Sequence, residues 1–99
     1  MPKQIVWSPL SEKDFDNILE YLNKEWDATV VNKFIDLTDN LLLQIALNPQ
    51  QFPLIHRKMK IRKCVITKHN TLFYRENKEQ IELLRVYDTR QDPDKLKFN

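Results

Sequence analysis

Ninety-nine residues, 41% apolar and 30% charged with a net charge of +2, bound the chain to one soluble globular domain, residues 1–99, with a modest core. The complete absence of glycine excludes the phosphate loops of nucleotide-binding enzymes, which need glycine for close backbone approach. The lone Cys64 excludes an internal disulfide, and no apolar run nears the roughly 18 residues of a membrane span, so with no long apolar leader in MPKQIVWS the expected location is the cytoplasm.

Taken in chain order, Gln4 to Trp7 reads as a short strand with Ile5 and Trp7 on one face. Ser8-Pro9 reads as a helix start, since serine can cap and proline suits the first helical position, where its missing N–H costs nothing. Phe15, Ile18, Leu19, Leu22 and Trp26 then recur at helical spacing. Asp27 is placed to cap a second helix from Ala28 to Leu47, with Val31, Phe34, Ile35, Leu41, Leu42 and Ile45 as its apolar stripe, widened by Val30 and Leu37. Asn48-Pro49 ends it, because the residue before proline avoids the helical region. The short link between the two predicts an antiparallel helix hairpin, and Asn48 to Ile55, with Pro49 and Pro53, is expected to be irregular. Three strands follow at Met59 to Thr67, Asn70 to Glu76 and Gln80 to Tyr87, joined by turns too short for helical crossovers, hence an antiparallel meander. The first alternates badly around Lys63, which a β-bulge there would accommodate. In the last, Leu83, Arg85 and Tyr87 are expected to oppose Leu84 and Val86. The expected fold is α+β: an N-terminal strand, a two-helix hairpin and a three-stranded meander, with Trp7, Phe15, Trp26, Phe34 and Phe73 in the core. Leu10, Tyr21, Val30 and Leu37 are left as apolar surface that a partner's amphipathic helix or strand can cover.

Charge is segregated along the chain. Residues 56–75 hold seven Lys or Arg and no Asp or Glu, whereas residues 10–55 sum to −5 and residues 76–99 to −1. Such a field implies an anionic partner. Arg57, Lys58, Lys60, Arg62, Lys63 and Lys68 are the candidate binding residues. The plainer reading is a solvated strand edge, where lysine commonly blocks aggregation. His56 and His69 can exchange protons near neutral pH, but His69 falls in a hairpin turn, where histidines usually meet only water. Arg85 is either a site residue or the ion-pair partner of Glu76 or Glu82. Tyr87 and Arg90 close the last strand, either within reach of a phosphate or as part of a cap over Asp88 to Asp92. Cys64, without a partner base, reads as a buried small residue. The separated His, His and Cys give no zinc signature, and no metal or other cofactor is expected.

The words WSPLSEKDFDNILEYL, IRKCVITKHNTLFYR and IELLRVYDTRQDP, in this order and in a chain of this length, resemble the RelE/ParE superfamily of bacterial toxins. The resemblance spans nearly the whole chain and implies the toxin half of a type II toxin–antitoxin module, a growth inhibitor of the kind that stabilises plasmids, neutralised by a cognate antitoxin that wraps it. It implies no membrane partner and no small-molecule substrate. RelE-like members cut messenger RNA on the ribosome with basic and hydroxyl side chains on the open face of the sheet; ParE-like members lack that set and poison DNA gyrase. The nucleases usually carry an arginine just before the aliphatic–aromatic pair of the third strand. Thr71 stands there in this chain, and a hydroxyl cannot stabilise phosphorane charge as a guanidinium does. Cys64 stands where a second cation is expected. A nuclease reading would therefore rest on Arg62, Arg85, Tyr87, Arg90 and His69. The resemblance is closer to ParE, and favours gyrase inhibition without enzymatic activity over ribosome-dependent cleavage. A third alternative is an inactive member that only binds its antitoxin in a regulatory complex.

Overall fold

A computed structural model describes residues 2–98. Strand β1 (Gln4–Trp7) leads into helices α1 (Pro9–Glu25) and α2 (Ala28–Leu47), followed by a 3-10 turn at Pro49–Gln51, strands β2 (Leu54–His56), β3 (Ile61–Thr67), β4 (Asn70–Glu76) and β5 (Gln80–Asp88), and a second 3-10 turn at Pro93–Lys95. The strands form one sheet in the order β1-β5-β4-β3-β2. The meander is thus its centre, and two outer strands extend it. β1 joins parallel to β5, with Gln4 opposite Gln80 and Trp7 opposite Leu83. β2 lies antiparallel to β3 within the stretch expected to be irregular. Pro53 hid this strand from a pattern reading, yet proline is tolerated at a sheet edge, and its carbonyl accepts from Lys63 N at 3.1 Å.

Both helix starts follow from their capping residues. Ser8 Oγ accepts from Ser11 N at 3.1 Å, and Asp27 Oδ1 accepts from Val30 N at 3.1 Å. Each satisfies a donor that the first helical turn leaves orphaned, worth about 1 kcal/mol. Ser8 also donates to Leu84 O, which pins the start of α1 to β5. On α2 Phe34, Leu42 and Ile45 are buried. Thr38, also buried, donates its hydroxyl back to Phe34 O at 2.8 Å, so its polar atom is satisfied inside the core.

The sheet has two apolar faces. Against the helices lie Cys64, Ile66, Leu72, Tyr74, Ile81, Leu83 and Val86, packed with Phe34 and Ile45 and flanked by Phe15, Ile18 and Leu22. On the other face Ile61, Phe73, Leu84 and Tyr87 are covered by Leu96 and Phe98 of the chain's own C-terminal segment. Phe98 meets Phe73 edge-on with ring centroids 5.4 Å apart.

Four details differ from the sequence expectation. The pairing of β4 with β5 slips between Phe73 and Tyr74, which face Arg85 and Leu83. Leu84 is the extra residue, so Leu83 faces the helices with Val86 while Leu84 joins Tyr87 on the opposite face; a two-residue alternation carried unbroken through this bulge gives the wrong sides. Lys63, by contrast, pairs in regular register with Phe73, and the irregularities flanking β3 fall at Leu54/His56 and Val65/Thr67. β3 begins only at Ile61, because Met59 and Lys60 belong to the preceding turn. Finally, Trp26 is 67% exposed rather than core. Its backbone N–H closes the last turn of α1 on Leu22 O, and as the C-cap it has already left the helix.

Candidate functional site: a basic-rimmed groove

A groove of about 940 Å³ runs between α1, the first half of α2, the β3–β4 turn and the C-terminal end of β5. Its floor is apolar because the helix stripes only partly reach the sheet here: Ile18, Leu22, Phe34 and Val86 line it, while Tyr21 and Leu37 stay 47% and 39% exposed and Trp26 stands at one end. Of the four residues expected to remain as apolar surface, Tyr21 and Leu37 are exposed and Leu10 and Val30 half-buried, and all four line this groove.

Its charged lining is mostly cationic: Lys13, Lys33, Lys68, Arg85 and Arg90 against Asp14 and Asp88. The two arginines are already engaged. Arg85 makes a two-pronged pair with Asp14, Nε to Oδ2 at 2.7 Å and Nη2 to Oδ1 at 3.0 Å, and donates through Nη1 to Lys97 O at 2.7 Å. Asp14 Oδ2 also accepts from Val86 N at 3.0 Å. β1 ends opposite Leu83, so this part of β5 has β4 on one side and no strand on the other, where the α1 carboxylate accepts its Val86 N–H. The expected partners of Arg85, Glu76 and Glu82, are bound elsewhere, to Lys3 and Arg75. Asp14, unremarkable in a run of helix acids, carried no sequence signal beyond its charge.

Arg90 pairs with Asp88 at 2.9 Å and lies over the Tyr21 ring, 5.9 Å from its centroid. That hydrogen bond holds the Asp88 carboxyl below the usual carboxylate range. Tyr87 donates its hydroxyl to Asp92 O at 2.6 Å. His69 lies in the β3–β4 turn, which is tied to the end of β5 by Thr89 N donating to His69 O at 2.9 Å and Thr89 Oγ1 donating to Lys68 O at 2.9 Å. Lys68, His69, Arg85, Tyr87 and Arg90 thus share this groove. Arg62 does not. It donates to Phe52 O at 2.7 Å, holding down the loop before β2 together with Tyr74, whose hydroxyl donates to Pro49 O at 2.7 Å.

Arg57, Lys58, Lys60 and Lys63 lie at the far end of β3, on and beside the turn from β2, all exposed. Among the described residues none of them enters a salt bridge. The basic stretch that reads as one block is therefore split into a free hairpin, a structural Arg62 and a groove-side Lys68. Cys64 is fully buried, and burial pushes its thiol up to about 11, so it is protonated at neutral pH and no nucleophile. Thr71 is buried between Val65 and Tyr87.

Three solved structures share this architecture. A chain of the chromosomal ParDE toxin–antitoxin system from P. aeruginosa superimposes with a TM-score of 0.66 at 13% identity, over 87% of this chain and 95% of that one. A conserved hypothetical protein from Helicobacter pylori gives 0.55 at 27% identity, over 90% and 97%. A copper-bound mutant toxin from Helicobacter pylori gives 0.54 at 23% identity, over 89% and 96%. No curated protein matches in sequence. The sequence pattern of the family described as ParE toxin of type II toxin-antitoxin system, parDE, matches residues 5–93. With nearly the whole domain inside that match, the chain belongs to the ParE toxin family.

Proposed function

We propose that this toxin is held inactive by a cognate antitoxin seated in the groove, and that, once free, it arrests growth in the cytoplasm through DNA gyrase rather than by cutting messenger RNA. The apolar floor and cationic rim suit an amphipathic segment with acidic flanks, whose apolar side would bury Tyr21, Trp26 and Leu37. One observation carries the choice of target. A nuclease of this superfamily works on the open face of the sheet, and here that face is Ile61, Phe73, Leu84 and Tyr87, roofed by Leu96 and Phe98. A phosphoryl-transfer site needs a base, an acid and preorganised cations converging on one point. Arg85 is instead bound to Asp14 and Lys97 O, and Arg90 to Asp88. Acting on a protein target requires only a surface. No described helix is long and apolar enough to cross a membrane.

Two assays test this. The purified chain is expected to inhibit gyrase supercoiling, and inhibition should vanish when the small protein encoded beside it is added. Primer extension on messages from arrested cells is expected to show no codon-positioned cuts. Such cuts, lost on Arg90→Ala, would restore the nuclease reading, with His69, Arg85, Tyr87 and Arg90, its members within the groove, as the site.

A further inference from the structure

The β2–β3 hairpin is the part of the molecule that neither the core nor the groove accounts for. Three large apolar side chains are left open there, Leu54 at 42%, Ile55 at 43% and Met59 at 40%, and Val65, at 56%, lies farther along β3. Interleaved with them are the exposed Arg57, Lys58, Lys60 and Lys63, and residues 56–75 contain no acid to neutralise them. Guarding a sheet edge with lysine is a common protective device. It explains the cations, but not three solvent-facing apolar groups beside them.

The hairpin is also held in shape. Met59 N donates to His56 Nδ1 at 3.2 Å and Lys60 N to Arg57 O at 3.3 Å. Lys60 sits at a φ of 59°, the left-handed region that costs a residue with a Cβ about 1 kcal/mol. Behind the turn, Arg62 fastens β3 to the Phe52 carbonyl. The turn thus presents its side chains with little ordering left to do, which favours binding.

Nothing from Leu54 to Val65 lines the groove. β3 separates the two, with the hairpin at its Ile61 end and Lys68-His69 beyond its Thr67 end, about 20 Å apart at 3.3 Å per residue. A segment filling the groove leaves the hairpin uncovered.

From this composition we infer that the hairpin is the surface with which the toxin grips its target, and that the target presents an acidic protein patch with an apolar centre. A mixed cationic and apolar surface fits a protein: the apolar side chains gain by burial against other apolar groups, and the cations match surrounding carboxylates and steer the encounter. A phosphate backbone would use the cations and leave the apolar groups without a partner. This inference rests on the toxin reading but not on the identity of the target.

The experiment compares the wild-type chain with a charge-reversed chain, Lys58→Glu with Lys63→Glu, and an apolar-stripped chain, Ile55→Ser with Met59→Ser. Each is scored for growth arrest on graded induction, for inhibition of purified gyrase, for affinity to the antitoxin, and for mobility shift of a 30-base-pair duplex DNA. All four positions are exposed, so melting and antitoxin affinity are expected to stay unchanged, within twofold for the affinity. If a double substitution loses antitoxin binding, a single one takes its place, Lys58→Glu for the charge-reversed chain and Ile55→Ser for the apolar-stripped chain. The expected result is that both variants need at least tenfold more toxin to arrest growth. Wild-type arrest by either variant at equal toxin level overturns the inference, even if gyrase is inhibited. Loss of arrest in both variants while wild-type chain leaves gyrase untouched keeps the hairpin and removes gyrase as the target. Sensitivity to charge reversal alone, with duplex binding by the wild-type chain, makes the surface a nucleic-acid contact and overturns the inference. A wild-type chain that arrests nothing removes both readings.

Discussion

The two ends of β3 look alike in composition and differ in what their cations do. At the groove end, Arg85 and Arg90 are paired with Asp14 and Asp88, while Lys13, Lys33 and Lys68 enter no salt bridge among the described residues. Arg85–Asp14 in particular joins residues 71 apart in sequence and, through Val86 N, completes the open edge of β5. At the hairpin end the cations of the turn touch no carboxylate among the described residues. A count of lysines and arginines treats the two ends as one field. The structure separates the two arginines paired at the groove from cations that stay unpaired among the described residues, on the groove lining and on the hairpin alike.

Substitutions can break that comparison. The largest effect is expected for Asp14→Ala. It strands a mostly buried guanidinium and a backbone N–H at once, and should cost on the order of 3 kcal/mol in urea denaturation. A cost under about 1 kcal/mol would mean that water replaces the carboxylate and that the pair is not structural. Arg62→Ala should cost about 1–2 kcal/mol by releasing the loop carbonyls of Gln50 and Phe52. Lys58→Ala and Lys63→Ala, four residues back and one residue on, should stay within about 0.5 kcal/mol. Lys60→Gly is expected to raise stability by about 0.5 kcal/mol, since glycine relieves the left-handed backbone but loses more entropy on folding. Destabilisation there would show that the Lys60 side chain contributes contacts of its own.

The smallest effect is in acid. Hydrogen bonds from Lys3 and Arg90 hold the Glu76 and Asp88 carboxyls below their ordinary values. A depressed folded value means that the stabilisation is fully present above the ordinary carboxylate value near about 4 and is lost as pH falls through the depressed one. The contribution of these two groups should therefore be flat from pH 7 to about 5 and decline below about 4, and Asp88→Asn should remove part of that decline. An unchanged acid limb in the variant would show the Arg90 contact to be open in solution.

How much of this was legible beforehand varies by element. Ser8, Pro9, Asp27 and Pro49 mark both helices because capping and proline chemistry are local, and those boundaries agree with the structure. β4 follows from its own alternation. Leu84 did not reveal itself as a bulge, since only pairing against Phe73 and Tyr74 defines one. β2 was hidden because three residues beside a proline carry no periodic signal; its partner Arg62 creates it. The spacing of Trp26 continues the α1 stripe and so points to the core, but Trp26 is the C-cap residue, where the backbone has left the helix and the side chain is turned out to solvent. At the groove, Lys68, His69, Arg85, Tyr87 and Arg90 were all singled out by position. Asp14 was not, because a contact 71 residues away in sequence leaves no trace in a local pattern.

The division of labour between the two ends is most directly tested by lysine footprinting of the toxin alone and bound to its antitoxin. Acetylation of Lys13, Lys33 and Lys68, on the groove rim, is expected to fall at least tenfold in the complex, while Lys58, Lys60 and Lys63 on the hairpin keep their free rates. Protection of the hairpin lysines with the groove lysines left reactive would contradict the account and place the antitoxin on the surface assigned here to the target.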